Sequence, residues 1–513
     1  MAGKVYLIGA GPGDPGLITV KGTECIKKAD VVVYDYLAAD QLLHHCRQGA
    51  ETIYVGKKGG DHTLSQEKIN ELITDKAKQG LVVARLKGGD PFIFGRGGEE
   101  AEILAKNGIT FEIVPGVTSA IAAPAYAGIP LTHRKHTASV SFVTGHEDPT
   151  KPHSSINWQA LAQGGGTLVF LMGVKNLPGI AARLIENGMS PDTPVALVRW
   201  GTTPKQRTVT GTLSDIVEKV KKAGLTAPCV TVIGNVVSLR DAIGWFESKP
   251  LFGRTIVVTR ARAQASEFTR ALSSLGAECM ECPTIRVSAP PDFSRLDSAI
   301  GALSSYDWLV FTSVNGVEWF FRRLYETGRD VRALCSIKTA VIGPATQKKL
   351  LEFGIRSDIV PESYRAESII DAFGGHDLEG KKVLLPRAAE ARPILPEELA
   401  RMGAVVDEIP AYVTVEDNRA SETLLPALRR GEIDMVTFTS SSTVINFRKL
   451  LPEDEKQARQ LMENVAVASI GPITTETAQK QGFKVDITAS VYTIKGLTDA
   501  ITDYFSGQQV LKQ

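Results

Sequence analysis

Two short stretches of the sequence place glycines and a carboxylate where strand-like runs end. They are GAGPGD at residues 9–14 and GGDP at residues 88–91. Paired glycines allow a ligand to lie directly against the backbone. A carboxylate beside them suits a ligand that carries an ammonium group or ribose hydroxyls, and it opposes a phosphate. The two stretches therefore predict a small-molecule site at the ends of strands.

The first stretch differs from a dinucleotide-binding turn at the positions that would hold phosphate. The fingerprint GxGxxG needs a third glycine, and Asp14 stands there. Pro12 has no N–H to donate to a pyrophosphate. Asp35 could imitate the acid that binds a ribose, but without the phosphate cradle a nicotinamide cofactor is disfavoured. An oxidoreductase stays an alternative, which NADH binding would test.

Cysteine and histidine do not predict a metal site. Cys279 and Cys282 form a lone CxxC, and on a strand their side chains would point to opposite faces. His133 and His136 have a possible ligand spacing, but no acidic or cysteine partner lies near them in the sequence. We therefore expect no metal, and we expect the two histidines to contact anions.

The composition excludes several classes of partner. The net charge is +1, so no excess of positive charge could track a nucleic-acid backbone. No apolar run reaches the roughly 18 residues of a membrane span, and the first residues show no signal-peptide pattern. Six cysteines in 513 residues do not make a disulfide scaffold, which favours a reducing cytoplasm.

Strand-like runs alternate with helical segments along the chain, which predicts an α/β fold with parallel sheets covered by helices. The first series is VVVYD, TIYVG, LVVARLKGGD and FEIVPG, and the second is SVSFVTGH, TLVFLMG, TPVALVRWG and CVTVIGNVV. The pattern breaks in a short polar stretch at residues 247–252, and GRTIVVTR then begins a new sheet. We place the main domain boundary there.

Four sequence blocks of the second half recur in register. GRTIVVTRARAQ from Gly253 pairs with GKKVLLPRAAEA from Gly380, 127 residues later. GAECMECP pairs with GAVVDEIP and DWLVFTS with DMVTFTS at the same offset, and VIGPAT pairs with SIGPIT at 128. The repeat predicts two similar α/β lobes. CPTIRVSAPP and IPAYVTVED are expected to cross between them as connecting strands.

The first half resembles uroporphyrinogen-III C-methyltransferase, one of the tetrapyrrole methylases. The resemblance covers about residues 3–246, in VYLIGAGPGDPGLIT, ADVVVYD, VGKKGGDHTLSQEKIN, RLKGGDPFIFGRGGEE, VPGVTSA, AYAGIPLTHR, LVFLMG and LRDAIGWF. It implies the tetrapyrrole-methylase fold of two α/β lobes. It also implies transfer of two methyl groups from S-adenosylmethionine to uroporphyrinogen III, which gives precorrin-2. A methylase that acts on a later corrin precursor is an alternative, although VGKKGGDH and GIPLTHR weigh against it.

The resemblance also assigns site residues in this half. It implies an S-adenosylmethionine pocket at Pro12, Gly88, Gly89, Asp90, Ile93, Thr118, Ser119, Met172, Gly201 and Ala227. Asp35 matches the proposed proton acceptor of the family and Lys57 its proposed donor. Because the substrate carries eight carboxylates, cations should gather near the cleft. The candidates, besides Lys57, are Lys58, His62, Arg96, His133 and Arg134.

The second half, from Gly253 to about residue 505, resembles uroporphyrinogen-III synthase. GRTIVVTRA, GAECMECPTI, DWLVFTSVNGV, VIGPAT, LLPRA, FTSSSTV and SIGPIT carry the resemblance. It implies closure of hydroxymethylbilane to uroporphyrinogen III without a cofactor. Tyr412 matches the tyrosine proposed in the family to assist departure of the hydroxyl, and its counterpart in the repeat is Ile285. Hydroxyls at strand ends could hold the substrate, although helix N-capping is their commonest use: Thr312, Ser313, Thr346, Thr439, Ser440 and Thr474.

Together these observations predict a bifunctional enzyme of tetrapyrrole biosynthesis. The expected methylase spans residues 1–246, with lobes at about 1–116 and 117–246, followed by a linker at 247–252. The expected synthase spans 253–505, with one lobe at about 253–285 plus 415–505, the other at about 286–414, and a tail at 506–513. The resemblance implies a homodimer formed through the methylase half. Alternatively, the second half is a two-lobed module that binds a tetrapyrrole without reacting.

Overall fold

The structure is a computed structural model that describes residues 3–56, 64–146, 155–259, 262–361, 366–391, 393–416 and 420–510. The chain divides into two compact units, made mainly of residues 1–256 and 257–500. Within the described residues, the strands form four sheets of five strands each. Among the described helices, none combines the length and the apolar composition that crossing a bilayer requires.

The first sheet has the order β3-β2-β4-β1-β5, and every neighbouring pair in it is parallel. Its strands are β1 Lys4–Gly9, β2 Val31–Tyr34, β3 Glu51–Tyr54, β4 Val82–Lys87 and β5 Thr110–Val114. The helices around it are α1 Val20–Lys28, α2 Gln66–Lys78 and α3 Gly97–Lys106, whereas α4 Ser119–Tyr126, which follows β5, packs against the second sheet. Thr19 and Ser65 are the N-cap residues of α1 and α2. Their hydroxyls accept backbone N–H groups of the first helical turn.

The second sheet has the order β6-β7-β10-β8-β9. Its strands are β6 Val140–Thr144, β7 Thr167–Leu171, β8 Pro194–Arg199, β9 Arg207–Thr212 and β10 Cys229–Ile233, and its helices are α5 Trp158–Gln163, α6 Leu177–Glu186, α7 Ile216–Lys222 and α8 Arg240–Ile243. The prediction of a parallel sheet is wrong here, because only β6 and β7 pair in parallel and the other pairs are antiparallel. The connection from Arg199 to Arg207 is short, and a short connection joins antiparallel strands. The sequence interpretation also missed β9.

The remaining strands form the third and fourth sheets. They are β11 Thr255–Val258, β12 Glu278–Glu281, β13 Ile285–Ser288, β14 Trp308–Phe311, β15 Lys338–Val341, β16 Lys382–Ala388, β17 Val405–Glu416, β18 Met435–Phe438, β19 Ala466–Ser469 and β20 Ile487–Thr488. The helices are α9 Arg262–Ser274, α10 Ser294–Gly301, α11 Val314–Glu326, α12 Pro344–Glu352, α13 Ala366–Phe373, α14 Ile394–Arg401, α15 Ala420–Arg429, α16 Ser441–Leu450, α17 Glu455–Met462, α18 Pro472–Lys480 and α19 Ile494–Val510.

The sequence repeat reappears as a repeat of strand order. The third sheet runs β12-β11-β18-β19-β20, and the fourth runs β13-β17-β16-β14-β15. The strands that carry matched sequence blocks occupy matched places, so β12, β11, β18 and β19 correspond to β17, β16, β14 and β15. A detail repeats as well: Asp358 accepts from the backbone N–H of Thr339 at 2.7 Å, and Asp486 accepts from that of Val467 at 2.9 Å. In the fourth sheet, β13 pairs antiparallel with β17.

Candidate active site

Three glycines pack backbone against backbone at the carboxyl ends of the first sheet. A Cβ built on Gly116 would lie 2.4 Å from the carbonyl oxygen of Gly89, and one built on Gly9 would lie 2.5 Å from Gly116 Cα. Gly11 and Gly89 exchange two backbone hydrogen bonds, of 3.2 and 2.7 Å. We call Gly9, Gly89 and Gly116 the glycine cluster. Since no side chain fits at Gly9 or Gly116, the cluster brings the loops after β1, β4 and β5 into direct contact.

The other glycines of the predicted pocket also serve packing within the protein. A Cβ on Gly88 would lie 2.4 Å from Leu37 Cβ, and one on Gly201 would lie 2.3 Å from Ala123 Cβ. At these two positions the space that a missing side chain leaves is filled by the protein itself. At Gly88 and Gly201 the side on which a Cβ would lie is therefore closed to a ligand.

Asp90 holds the turn that follows β4. One carboxylate oxygen accepts from the backbone N–H groups of Phe92 and Ile93, at 2.8 and 3.1 Å, and the other accepts from that of Gly116 at 2.9 Å. The side chain thus fixes the loop next to the glycine cluster. A contact from Asp90 to a ligand ammonium or hydroxyl would be additional to these three bonds.

The loops at this end of the two sheets hold strained backbone and exposed apolar side chains. Among the described residues, five that are not glycine have a left-handed conformation: Phe94, Arg96, Met172, Trp200 and Thr202. Such conformations cost of order 1–3 kcal/mol each and concentrate at functional sites. The large apolar side chains exposed after β2, β4 and β7 are Tyr36, Leu37, Phe92, Ile93, Phe94 and Met172. Exposed apolar surface of this kind marks a site for a ligand or partner.

The GAGPGD turn joins the two lobes of the first unit. The Asp14 backbone N–H donates to the Thr202 hydroxyl at 3.0 Å, and the Tyr126 hydroxyl donates to the Asp14 carboxylate at 2.7 Å. Burial and the nearby carboxylate of Asp14 raise the pKa of Tyr126. Asp14 is therefore occupied by structural bonds and offers no phosphate site. Pro12 lies half-buried in the same turn.

Asp35 follows β2 and belongs to a set of four charged residues. It accepts from the guanidinium of Arg85 at 3.2 Å and from the backbone N–H of Leu37 at 3.1 Å. Arg85 and Lys87 both contact one oxygen of Glu100, at 3.4 and 2.6 Å. We call Asp35, Arg85, Lys87 and Glu100 the buried ion network, although the Asp35 side chain is 24% exposed. Desolvation, with the neighbouring Arg85 charge, lowers the pKa of Lys87.

The other predicted positions of this half lie on loops and at one helix start. Thr118 caps α4, with its hydroxyl accepting from Ala120 N at 3.3 Å, and Ser119 is the first residue of that helix. Ala227 is exposed before β10. Among the predicted substrate cations, Arg96 pairs with Glu99. His133 and Arg134 lie in the segment between α4 and β6. The other three, Lys57, Lys58 and His62, lie outside the described residues.

Two of the hydroxyls predicted in the second half cap helices. Ser313 accepts from Gly316 N at 2.9 Å at the start of α11, and Ser440 accepts from Thr443 N at 3.4 Å at the start of α16. Thr312 and Thr439 are half-buried. Thr346 and Thr474 are only 3% and 5% exposed. Capping therefore accounts for the serines, and burial separates the last two threonines from solvent.

Tyr412 distinguishes one lobe of the repeat from the other. Its phenol lies 3.0 Å from the Ser313 hydroxyl, and its side chain is almost fully buried. Ile285, the counterpart of Tyr412 in the repeat, has no hydroxyl to offer. Arg387 stands beside a register shift at the end of β16, next to Ala388, which pairs with Tyr412. Burial lowers the pKa of Arg387, which lies 3.4 Å from Glu408.

Several residues of these sites were missed in the sequence. Arg85 and Lys87 are charged residues inside a strand that otherwise reads as buried, and that pattern is a signal for paired buried charges. Nothing in the stretch GRGGEE indicates that Glu100 is buried while Glu99 is exposed. The residue types at Trp200 and Thr202 do not predict their left-handed backbone conformations.

The chain resembles proteins of tetrapyrrole metabolism along its whole length. Residues 4–217 match the family model described as Tetrapyrrole (Corrin/Porphyrin) Methylases, and residues 266–499 match Uroporphyrinogen-III synthase HemD. The "Porphyrin biosynthesis protein HemD" of Ruminiclostridium josui is 38% identical over 98% of this chain and 99% of that protein.

Two further relatives match the first half. The "S-adenosyl-L-methionine-dependent uroporphyrinogen III methyltransferase" of Methanosarcina barkeri is 54% identical over 47% of this chain and 95% of that protein. A solved structure, the uroporphyrin-III C-methyl transferase from Thermus thermophilus complexed with S-adenyl homocysteine, is 39% identical. It covers 46% of this chain and 100% of that one, with a TM-score of 0.40.

Proposed function

The chain belongs to the porphyrin biosynthesis proteins that join a tetrapyrrole methylase to a uroporphyrinogen-III synthase, and we propose that it carries out both reactions in sequence. It is a bifunctional enzyme of tetrapyrrole biosynthesis. In the proposed sequence, the second half closes hydroxymethylbilane to uroporphyrinogen III. The first half then methylates that product twice, with S-adenosylmethionine as the donor, to give precorrin-2.

The glycine cluster is the observation that carries the methylase proposal. It brings three loops together at the strand ends, where ligands bind in open α/β sheets. Ile93 and Met172 are exposed apolar side chains on the loops after β4 and β7, and both are proposed to line the S-adenosylmethionine pocket. S-adenosylmethionine would supply the methyl group, which its sulfonium already activates. The protein then gains rate mainly by positioning the two reactants. The relative from Methanosarcina barkeri, named for its dependence on this donor, supports the assignment.

We propose that Asp35 takes up the proton that the carbon framework of the macrocycle loses after methyl transfer. Its carboxylate stands at a strand end with part of its surface open to solvent. The Arg85 guanidinium and the backbone of Leu37 fix its orientation, which a general base needs. Lys57 remains the proposed donor, and it lies outside the described residues. Arg96, His133 and Arg134 are proposed to hold carboxylates of the substrate.

The contact between Tyr412 and Ser313 carries the synthase proposal. Loss of the hydroxyl group from hydroxymethylbilane needs a proton at the departing oxygen. A phenol held at 3.0 Å from a second hydroxyl can donate that proton while the serine keeps it in position. Only one lobe of the repeat has this pair, as a single active site requires.

The experiment supplies the intact chain with hydroxymethylbilane and S-adenosylmethionine and measures the products by mass spectrometry and isomer analysis. We expect a type III macrocycle that carries two added methyl groups. Isomer I alone, which forms without an enzyme that inverts the last pyrrole, would overturn the synthase assignment. A type III product without added methyls would overturn the methylase assignment.

The domain bounds, residues 1–246 and 253–505, are part of the proposal, as is a homodimer formed through the methylase half. Sedimentation velocity should give twice the chain mass of 55.2 kDa.

A further inference from the structure

The buried ion network places two cations inside an otherwise apolar layer. Side chains alternate along β4, so Arg85 and Lys87 lie on the same face as Val83, which belongs to a core cluster with Leu104 of α3. Arg85 and Lys87 are 3% and 4% exposed, and Glu100 is fully buried. Apolar residues at such positions are often at least as stabilising as ion pairs. A network retained there is therefore a candidate for a role in function.

Glu100 is the anion on which both cations converge. One of its carboxylate oxygens accepts from Lys87 at 2.6 Å, from Gln66 at 3.0 Å and from Arg85 at 3.4 Å. The carboxylate also lies in the first turn of α3, where the helix dipole favours a negative charge. Glu100 is thus held by four independent features of the fold.

Arg85 connects Glu100 to the strand end. Its Nε faces Glu100, one terminal nitrogen donates to the Leu86 carbonyl at 2.7 Å, and the other donates to Asp35 at 3.2 Å. A guanidinium is planar and rigid, so fixing one edge fixes the other. The orientation of Asp35 consequently depends on the carboxylate of Glu100, which is itself fully buried.

We propose that Glu100 is a positioning residue for methyl transfer, and that it acts through Arg85 on the carboxylate of Asp35. This inference rests on the proposed role of Asp35 as the proton acceptor. Glu100 holds the guanidinium in the orientation that aligns Asp35, and its charge balances the buried cations Arg85 and Lys87.

The charged groups that the described residues place around Asp35 are Arg85 and Lys87 from β4, with Glu100 behind the two cations. Removing the Glu100 charge leaves these two buried cations without their shared partner. The guanidinium of Arg85 is then no longer held on the edge that faces Glu100, and the alignment of Asp35 is lost.

The test compares Glu100→Gln with Glu112→Gln in the intact chain, supplied with uroporphyrinogen III and S-adenosylmethionine. Glu112 is the matched control because it also accepts from cations near the first sheet, Lys4 and Lys21, but at the surface. For Glu100→Gln we expect kcat to fall between about 10- and 100-fold. We expect the KM for S-adenosylmethionine to change less than about twofold. Glu112→Gln should change neither kcat nor KM.

Two further variants separate positioning from stability. Arg85→Lys keeps the charge but loses the rigid fork, so it should lower kcat without changing the KM, and it serves if Glu100→Gln does not fold. Glu100→Asp keeps the charge and should retain more of the parent kcat than Glu100→Gln does.

Asp35→Asn tests the path of the effect. In that background Glu100→Gln should cause no further loss of kcat, because the residue through which it acts is gone. Additive losses, or a Glu100→Gln protein that melts earlier with an unchanged kcat, would overturn the inference. If Asp35→Asn retains full activity, the proposed role of Asp35 itself fails. If Asp35→Asn is inactive and Glu100→Gln is normal, only this inference fails.

Discussion

The loops of the amino-terminal half hold Met172, Trp200 and Thr202 in left-handed backbone conformations, whereas the described residues of the carboxyl-terminal half have such conformations only at glycine. The first half also places charges in a buried network beside its candidate site. The second half instead offers hydroxyls at helix starts and one buried phenol. The first site thus depends on exact backbone positions, and the second on single side-chain atoms.

The comparison predicts the largest effect for a single methyl group added to the glycine cluster. In Gly116→Ala the new Cβ would meet the Gly89 carbonyl at 2.4 Å, so two loops must separate. We expect methyl transfer to fall by about 100-fold or more, because a shift of about 1 Å can cost that much. Formation of the type III macrocycle should stay unchanged.

Gly98→Ala is the control for that variant. Gly98 lies in the first turn of α3, and a Cβ there would have no neighbour within 4 Å. Both activities should be retained. If Gly98→Ala lost as much methyl transfer as Gly116→Ala, the loss could not be attributed to the close packing of the glycine cluster.

In the second half, removal of one oxygen should have a large effect without any backbone change. Tyr412→Phe deletes the phenol that faces Ser313. We expect ring closure to slow by about 100-fold, the lower end of what general acid catalysis contributes. Methylation of supplied uroporphyrinogen III should continue at the normal rate. Tyr325→Phe, at an exposed tyrosine, is the control, and full ring closure by Tyr412→Phe would remove the proposed role of the phenol.

A matched pair of serines tests the difference between the two lobes of the repeat. Ser313→Ala and Ser440→Ala each remove the hydroxyl that caps a helix. Each should lower the free energy of unfolding by about 1 kcal/mol, measured by urea denaturation. Only Ser313→Ala should also slow ring closure, since Ser313 alone contacts Tyr412. Equal loss of ring closure in both variants would assign the site to both lobes.

The smallest expected effect concerns acid stability of the first sheet. Hydrogen bonds from Lys21 and Lys4 lower the pKa of Glu112 to about 2. A carboxyl with a lowered folded pKa stabilises the protein above its unfolded pKa, and this contribution is lost as the pH falls toward 2. Glu112→Gln should therefore melt slightly earlier than the parent protein at pH 7. The difference in melting temperature between the two proteins should shrink as the pH approaches 2. A difference that stays constant with pH would contradict this prediction.

The sequence predicted the strands and the repeat because both depend on local patterns. Apolar runs such as VVVYD and TLVFLMG become β2 and β7, and the four repeated blocks occupy matched places in two sheets. Strand direction was wrong in the second sheet, because the short connection from β8 to β9 was not recognised. Direction depends on connection length, which hydrophobic periodicity does not report.

Contacts between distant residues could not be predicted from spacing. Tyr412 and Ser313 are 99 positions apart, and no pattern in the sequence pairs them. Glu99 and Glu100 are neighbours of the same type, yet one is exposed and the other fully buried. Only the direction in which α3 faces the sheet distinguishes them. The role of Glu100 therefore needed the folded arrangement.

The arrangement of the third and fourth sheets has a consequence for synthesis on the ribosome. Residues 285–416 contain all five strands of the fourth sheet, so that sheet can close as soon as they emerge. Strands β11 and β12 are made earlier, but their neighbour β18 begins only at Met435. A chain that stops after residue 416 should therefore keep one finished sheet and leave an open β11 edge, which favours aggregation.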